Sequence, residues 1–350
     1  MFAADSKAVT ASILKSPSAD PRDAWRQIID PVEPFLEAVS KRLNRQVSSF
    51  EPDLLPYAEY ALTTNGKHLR PALVALAANA VGKPQDAHVT VAVIIEMVHL
   101  ATLVHDDVMD EAEIRRGRLT LAANWGNEIA VLFGDCLFAQ ALKLAASFPT
   151  PEICRAVAMA TNTVCSGEIL QTQHRRDFGF TQENYFKVIE MKTAELFALS
   201  CDLSACLSDS EPEARVALRQ FGLAFGTAYQ VFDDCVDLFG SEAAAGKSLG
   251  TDLAKGKLTL PILILWDRAN SAEKQQIEEL VQVWQPGSIK SLEVMLAKYD
   301  TLNASLEVIQ DYLEKSRHTL RRLPASAGRN GLLGLTEYLG QQTSALGARA

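Results

Sequence analysis

Two acidic clusters of one form constrain this chain more than any other feature: H-D-D-V-M-D at 105–110 and F-D-D-C-V-D at 232–237, each closing a long apolar stretch. Those stretches have helical periodicity, and residues four apart on a helix share a face. Asp106 therefore points with Asp110, and Asp233 with Asp237. Like charges at that spacing repel and weaken a helix. One such cluster is usually a solvated helix end, but two of them on apolar helices need a cation to compensate them. Magnesium suits the demand, because it takes oxygen ligands and binds through a few carboxylates, waters and substrate phosphates. Two such faces turned towards each other across a helical bundle would hold metal between them.

The rest of the chain agrees with a bundle. Alternating apolar and polar residues are nearly absent, and Ala, Leu, Glu and Gln dominate stretches of helical period. Helices are expected over 22–47, 51–64, 68–81, 87–110, 122–146, 151–176, 182–208, 212–239, 258–270, 272–284, 287–298, 302–322 and 328–342. Breaks fall at Gly82-Lys83-Pro84, at Pro149 and Pro151, and between Ser241 and Lys257. Segments 91–104 and 257–265 are apolar almost all round and belong in the centre. No Pro-, Gly- or Ser-rich linker divides 21–345, so one all-α domain is expected, preceded by a disordered leader over 1–20. That leader has no continuous apolar core and contains Asp5 and Asp20, which argues against a secretory signal. No transmembrane segment is expected, since no apolar run approaches about twenty residues, and the protein is placed in the cytoplasm.

Charge and cysteine content narrow the class further. The net charge of −9 excludes a general affinity for nucleic acid, although local cations can still bind a small anion. Six cysteines lie in apolar stretches without CxxC spacing and read as buried free thiols of a reducing compartment. Several cations stand near the acidic clusters in sequence. Gly66-Lys67-His68-Leu69-Arg70-Pro71 puts Lys67 and Arg70 at a helix start, where free N–H groups favour an anion. Arg115 and Arg116 follow the first cluster after a short turn, Lys192-Thr193 lies within a helix, and Lys247 and Lys257 bracket the loop G-K-S-L-G-T-D-L-A-K-G-K. Together they make sense around a highly anionic ligand.

In order and spacing, GKHLRP, EMVHLATLVHDDVMDEAEIRRG, GDCLFAQA, GEILQ, KTAELF, YQVFDDCVD and GKSLGTDLAKGKLTLP resemble the trans-isoprenyl diphosphate synthases. The resemblance covers residues 30–340. It implies a single large helical bundle of the isoprenoid synthase type with a central substrate tunnel, and a homodimer. It implies magnesium, three ions per site, bound by Asp106, Asp110 and Asp233, with Asp107, Asp234 and Asp237 in support. Arg115, Lys192, Lys247 and Lys257 would grip an allylic diphosphate, with hydrogen bonds from Thr193 and Gln230. Gly66, Lys67, Arg70, His99 and Arg116 would hold isopentenyl diphosphate. The implied chemistry is electrophilic alkylation through an allylic cation, followed by proton loss. Two departures from the family pattern are Leu119 in place of its usual Pro and Ser166 in its acidic-Gly-Glu triplet.

In that family a bulky residue four or five positions before the first acidic motif floors the tunnel. Here those positions are Thr102 and Ala101, with Val98 and Met97 one turn deeper, and none is aromatic. A helical turn rises about 5.4 Å, close to one isoprene unit, so the product is expected beyond C15, in the C25–C50 range. Phe133 could still plug the tunnel. The alternatives are a C20 geranylgeranyl product, or a non-catalytic partner subunit, which typically lacks one acidic motif. A metal phosphohydrolase using His105 with Asp106 would leave the second motif unexplained. A terpene cyclase would have no use for Lys67 and Arg70.

Overall fold

A computed structural model describes residues 21–63, 66, 68–240, 250–285 and 287–348. The expected leader, Lys67 and Lys247 lie outside the described residues. The helices run α1 Pro21–Ile29, α2 Glu33–Val47, α3 Leu55–Leu62, α4 Leu69–Val81, α5 Asp86–Met109, α6 Leu121–Trp125, α7 Asn127–Ala146, α8 Pro151–Gln173 and α9 Gln182–Ile189. They continue as α10 Glu195–Leu207, α11 Pro212–Phe239, α12 Thr251–Ala254, α13 Leu260–Arg268, α14 Ser271–Gln282, α15 Ser288–Lys298, α16 Thr301–Leu320 and α17 Ala327–Gly347.

Local chemistry explains most helix ends. Pro151 and Pro212 sit at first helical positions, where the missing N–H has no intrahelical partner to lose. The Thr120, Thr181 and Asn270 side chains accept hydrogen bonds from the N–H groups three residues on, capping α6, α9 and α14. Three expected helices are broken. A 3-10 turn at 30–32 divides 22–47, and Gly126 (φ 90°) divides 122–146. A π-helical turn at 190–194 interrupts 182–208. A two-stranded antiparallel hairpin, Ile114–Arg115 with Arg118–Leu119, follows the first acidic motif. Its strands are too short for any pattern to reveal.

The core has two parts. One gathers buried side chains of α5, α7 and α8, among them Ile94, Ile95, Met97, Leu137 and Val157. The other gathers α11, α13, α16 and α17, with Phe221, Phe225, Leu263, Ile309 and Leu335. Full burial of each such aliphatic or aromatic side chain is worth roughly 1.5–3 kcal/mol. Helices α4 and α10 lie between the two parts and serve both. Val74 and Leu199 face the first; Leu73 and Phe197 face the second. The first acidic motif thus ends a helix of one part, the second ends a helix of the other, and α10 begins between them.

One expectation needs correction. Helices α5 and α7 do have the length and apolar composition to cross a bilayer. Neighbouring helices cover most of α5, and its last turn carries the acidic motif. Helix α7 leaves Val131 and Leu132 exposed at 41% and 61%. All six cysteines are free, but only Cys201 and Cys235 are buried; Cys136, Cys154 and Cys206 are partly buried and Cys165 is exposed.

Candidate active site

The π-helical turn at 190–194 is where the two acidic motifs meet. Such turns widen the backbone by one residue and re-aim the side chains they carry. Three glycines let neighbours close on this turn and on the start of α10 that follows it. An ideal Cβ on Gly167 of α8 would lie 2.8 Å from the Lys192 nitrogen, and one on Gly226 of α11 would lie 2.8 Å from the Ala194 Cα. Gly222, one turn earlier on α11, similarly admits the backbone of Ala198. Consecutive residues of the turn then serve opposite motifs. Lys192 Nζ lies 3.6 Å from Asp106 Oδ2, while Thr193 Oγ1 donates to Gln230 Oε1 at 2.9 Å. Gln230 Nε2 in turn donates to Asp234 Oδ1 at 2.7 Å.

At the first motif, carboxylates face cations. Asp107 accepts from Arg115 Nε at 2.6 Å. Asp110 accepts from Lys257 Nζ at 2.6 Å on one oxygen and from Arg175 Nη2 at 3.0 Å on the other. Lys192 also pairs with Glu168 and donates to Gln171 Oε1 at 3.0 Å. Burial works against the Lys192 charge, but Asp106 and Glu168 outweigh it and push the ammonium up to about 12. Burial raises the Asp106 carboxyl despite Lys192. Burial would raise Asp110 as well, but Lys257, with help from Lys192 and Arg175, lowers it.

At the second motif, the partners of Asp234 and Asp237 among the described residues are neutral donors. Asp234 accepts from Tyr185 Oη at 2.6 Å as well as from Gln230. Asp237 is wholly buried and accepts from Thr251 Oγ1 at 2.8 Å and the Asp252 N–H at 3.1 Å, which fixes the start of α12. Burial, reinforced by Asp252, raises Asp234 well above the usual carboxylate range. Asp233 is partly exposed one turn after Tyr229. Lys257 links the two motifs a second time. Its backbone N–H donates to the Asp252 carbonyl, while its ammonium reaches Asp110.

A second cationic pocket adjoins the site. The Arg116 guanidinium packs on Gly66, where an ideal Cβ would lie 2.8 Å from Nη1. The Arg70 guanidinium stacks 4.8 Å from the centre of the Phe197 ring, which also packs against Tyr229 at 5.5 Å and Phe225 at 6.1 Å between ring centres. Arg70 Nε is buried without a hydrogen-bond partner. Burial, then the charges of Arg70, Arg116 and Arg115, hold the His99 imidazole well below its ordinary value. It is therefore a neutral hydrogen-bonding group at pH 7. His105 faces the other way, with Nε2 3.0 Å from the Val131 carbonyl of α7, so it does not join Asp106 in a metal site.

The residues expected to set chain length lie behind the first motif. Met97, Val98 and Ala101 are buried in the α5–α7 part of the core, and the Thr102 hydroxyl donates to the His99 carbonyl at 2.7 Å. Phe133 is buried in the same cluster and packs against Phe50 and Tyr57. Glu168, Gln171, Arg175, Tyr185 and Asp252 belong to the site, although the sequence reading gave them no role in it. Glu168 and Gln171 had a readable signal, being three apart on a helix two turns before the Arg175 turn. Tyr185 had none.

The donor set fits a hard divalent cation, because it is made of carboxylate oxygens without thiols or imidazoles. Among the described residues no three His, Cys, Asp or Glu side chains form one ligand cluster. An ion here would be shared between one or two carboxylates and a phosphate, the usual mode for magnesium.

A family model described as Polyprenyl synthetase matches residues 51–298. The octaprenyl diphosphate synthase of Escherichia coli (strain K12) is 35% identical over 286 residues, covering 81% of this chain and 88% of that protein. Heptaprenyl diphosphate synthase component 2 of Geobacillus stearothermophilus is 36% identical over 309 residues, covering 88% and 95%. The crystal structure of a polyprenyl synthase from Caulobacter crescentus CB15, complexed with calcium and isoprenyl diphosphate, matches with a TM-score of 0.85 at 30% identity, covering 96% of this chain and 99% of that one.

Proposed function

Because the chain belongs to the polyprenyl synthetase family, we propose that it condenses isopentenyl diphosphate with an allylic diphosphate, giving a linear all-trans polyprenyl diphosphate and pyrophosphate. The observation that carries this reading is the meeting of both acidic motifs on Lys192 and Thr193. Asp106 and Asp110 would hold magnesium on one side and Asp233 on the other, three ions in all, as the calcium in the Caulobacter relative suggests for a divalent cation. Bound, the ions would offset charge building on the departing pyrophosphate and so ease formation of the allylic cation.

The protein's own groups do the rest. Lys192, Lys257 and Arg115 attract the allylic diphosphate, with Lys247 as a further cation, and Thr193 and Gln230 orient it. Arg70, Arg116 and Gly66 cradle the second diphosphate with Lys67, and neutral His99 donates to it without competing for a proton. The apolar residues behind Asp106 exclude water, which would otherwise capture the cation. Pyrophosphate is the base that takes the final proton.

Small residues at Ala101 and Thr102, and relatives that make octaprenyl and heptaprenyl products, support a product in the C25–C50 range over C20. A non-catalytic partner subunit is the weaker reading, since both acidic motifs are complete and built into one site. Free thiols fit a reducing cytoplasm. The exposed α7 stripe with Val131 and Leu132 supports a homodimer through that face. Incubation with magnesium, isopentenyl diphosphate and C5, C10, C15 and C20 primers, followed by mass analysis, should give products beyond C20. No elongation from any primer would sink the reading.

A further inference from the structure

Arg175 lies in the turn after α8 and has no part in the roles assigned so far. Its Nη2 donates to one oxygen of Asp110 while Lys257 holds the other, so a single carboxylate carries two cations. Its Nε is buried without a hydrogen-bond partner, as is Nε of Arg70 in the adjoining pocket. A buried N–H left unpaired in a folded protein calls for an explanation, and a ligand that would accept from it supplies one. The turn is also held in place. Arg176 adopts the left-handed region at φ 58°, which is uncommon for a residue with a side chain. Its N–H donates to the Gly256 carbonyl at 2.7 Å, and its guanidinium reaches the carbonyls of Val281 and Ala254 at 3.3 and 3.4 Å. Gly256 must itself lack a side chain, since it has φ 76° and an ideal Cβ would lie 2.6 Å from Arg176 Cγ. These contacts bring Arg175 and Lys257 to the same carboxylate.

We infer that Arg175 is a further diphosphate-binding residue, which neutralises Asp110 in the metal-free protein and passes to the allylic diphosphate when a divalent cation takes that carboxylate. The inference rests on the functional reading given under Proposed function. Asp106, Asp110 and Glu168 are matched by Lys192, Lys257 and Arg175. If a divalent cation were held at Asp110, Arg175 would be released from it, and its planar fork suits phosphate oxygens better than a lysine does. The guanidinium therefore competes with the metal and cooperates with the diphosphate, so its loss must move the two affinities in opposite directions.

Titration calorimetry on the full chain tests this with two probes, magnesium alone and inorganic pyrophosphate in saturating magnesium. Arg175→Gln should tighten magnesium binding about two- to fivefold and weaken pyrophosphate binding about ten- to hundredfold. Arg175→Lys keeps the charge and guards against a variant that fails to fold. It should leave magnesium binding near wild type and weaken pyrophosphate about three- to tenfold. Unchanged pyrophosphate affinity, or a parallel fall in both affinities, overturns the inference and leaves the functional reading standing. A wild-type protein that does not bind pyrophosphate with magnesium removes the functional reading, and the inference with it.

Discussion

At the first acidic motif Asp106, Asp107 and Asp110 each face a side-chain cation, Asp107 the nearby Arg115 and the other two cations from far along the chain. At the second, Asp234 and Asp237 are held by a tyrosine, a glutamine, a threonine and a backbone N–H. The spacing of the carboxylates is the same in both. Ion pairs between partly exposed groups, such as Arg175–Asp110 and Lys192–Asp106, exchange more readily with metal and phosphate, because water and counter-ions compensate either state. A buried carboxylate satisfied by neutral donors does not exchange, since freeing it would strand both partners. The first motif is therefore made to change partners. In the second, Asp233 is partly exposed, while Asp234 and Asp237 keep the 250–257 segment and α9 in position.

The sharpest test of that contrast pairs one substitution from each side. Asp110→Asn should lower turnover by about a hundred- to a thousandfold or more, with a melting temperature within a few degrees of wild type. Asp237→Asn should do the opposite. Its new amide would turn a donor towards either the Asp252 N–H or the Thr251 hydroxyl, costing about 1–3 kcal/mol in urea denaturation. The protein that remains folded should keep most of its turnover. If Asp237→Asn were as stable as wild type and as inactive as Asp110→Asn, the two motifs would be equivalent ligands and the contrast would fail.

The two motifs differ behind the acids as well. Five and four residues before Asp106 stand Ala101 and Thr102; at the same offsets before Asp233 stand Ala228 and Tyr229, the latter packed on Phe197. Space for a growing chain is thus expected behind the first motif. Ala101→Phe should shorten the main product towards C15 by mass analysis while changing the rate of the first condensation by less than about threefold, since no charged contact is touched. An unchanged product distribution would place the floor elsewhere, with Phe133, Phe50 and Tyr57 the first residues to examine.

Much of this was open to sequence reading because helical spacing fixes which carboxylates share a face, and apolar periodicity fixes which helices are central. The i, i+4 relation of Asp106 to Asp110 needs nothing outside the helix. The partners that make the motifs different come from far along the chain. Tyr185 is 49 residues from Asp234 and Lys257 is 147 from Asp110, separations that no local pattern encodes. The π turn at 190–194 was invisible for another reason. Its sequence, EMKTA, is ordinary helix, and the widening depends on glycines of α8 and α11 that admit the neighbouring backbone. Likewise the left-handed Arg176, which brings Arg175 to the site, follows from a packing contact with Gly256 rather than from any turn residue.

The smallest expected effect is on stability with pH, and it isolates Asp110 from the chemistry. Burial would raise its carboxyl, but Lys257, Lys192 and Arg175 lower it below the ordinary value. A carboxyl with a folded pKa below its unfolded one contributes stability above the unfolded value, near pH 4, and loses it as pH falls through the folded value. Asp110→Asn lacks that contribution. Its deficit against wild type should be full at pH 7 and should shrink on acidification below about pH 4, as read from urea midpoints at a series of pH values. A deficit that stays constant with pH would mean that the cations around Asp110 stabilise it no more than water does. In that case the first motif would owe its partners to geometry alone, and the contrast with the hydrogen-bonded second motif would lose its electrostatic basis.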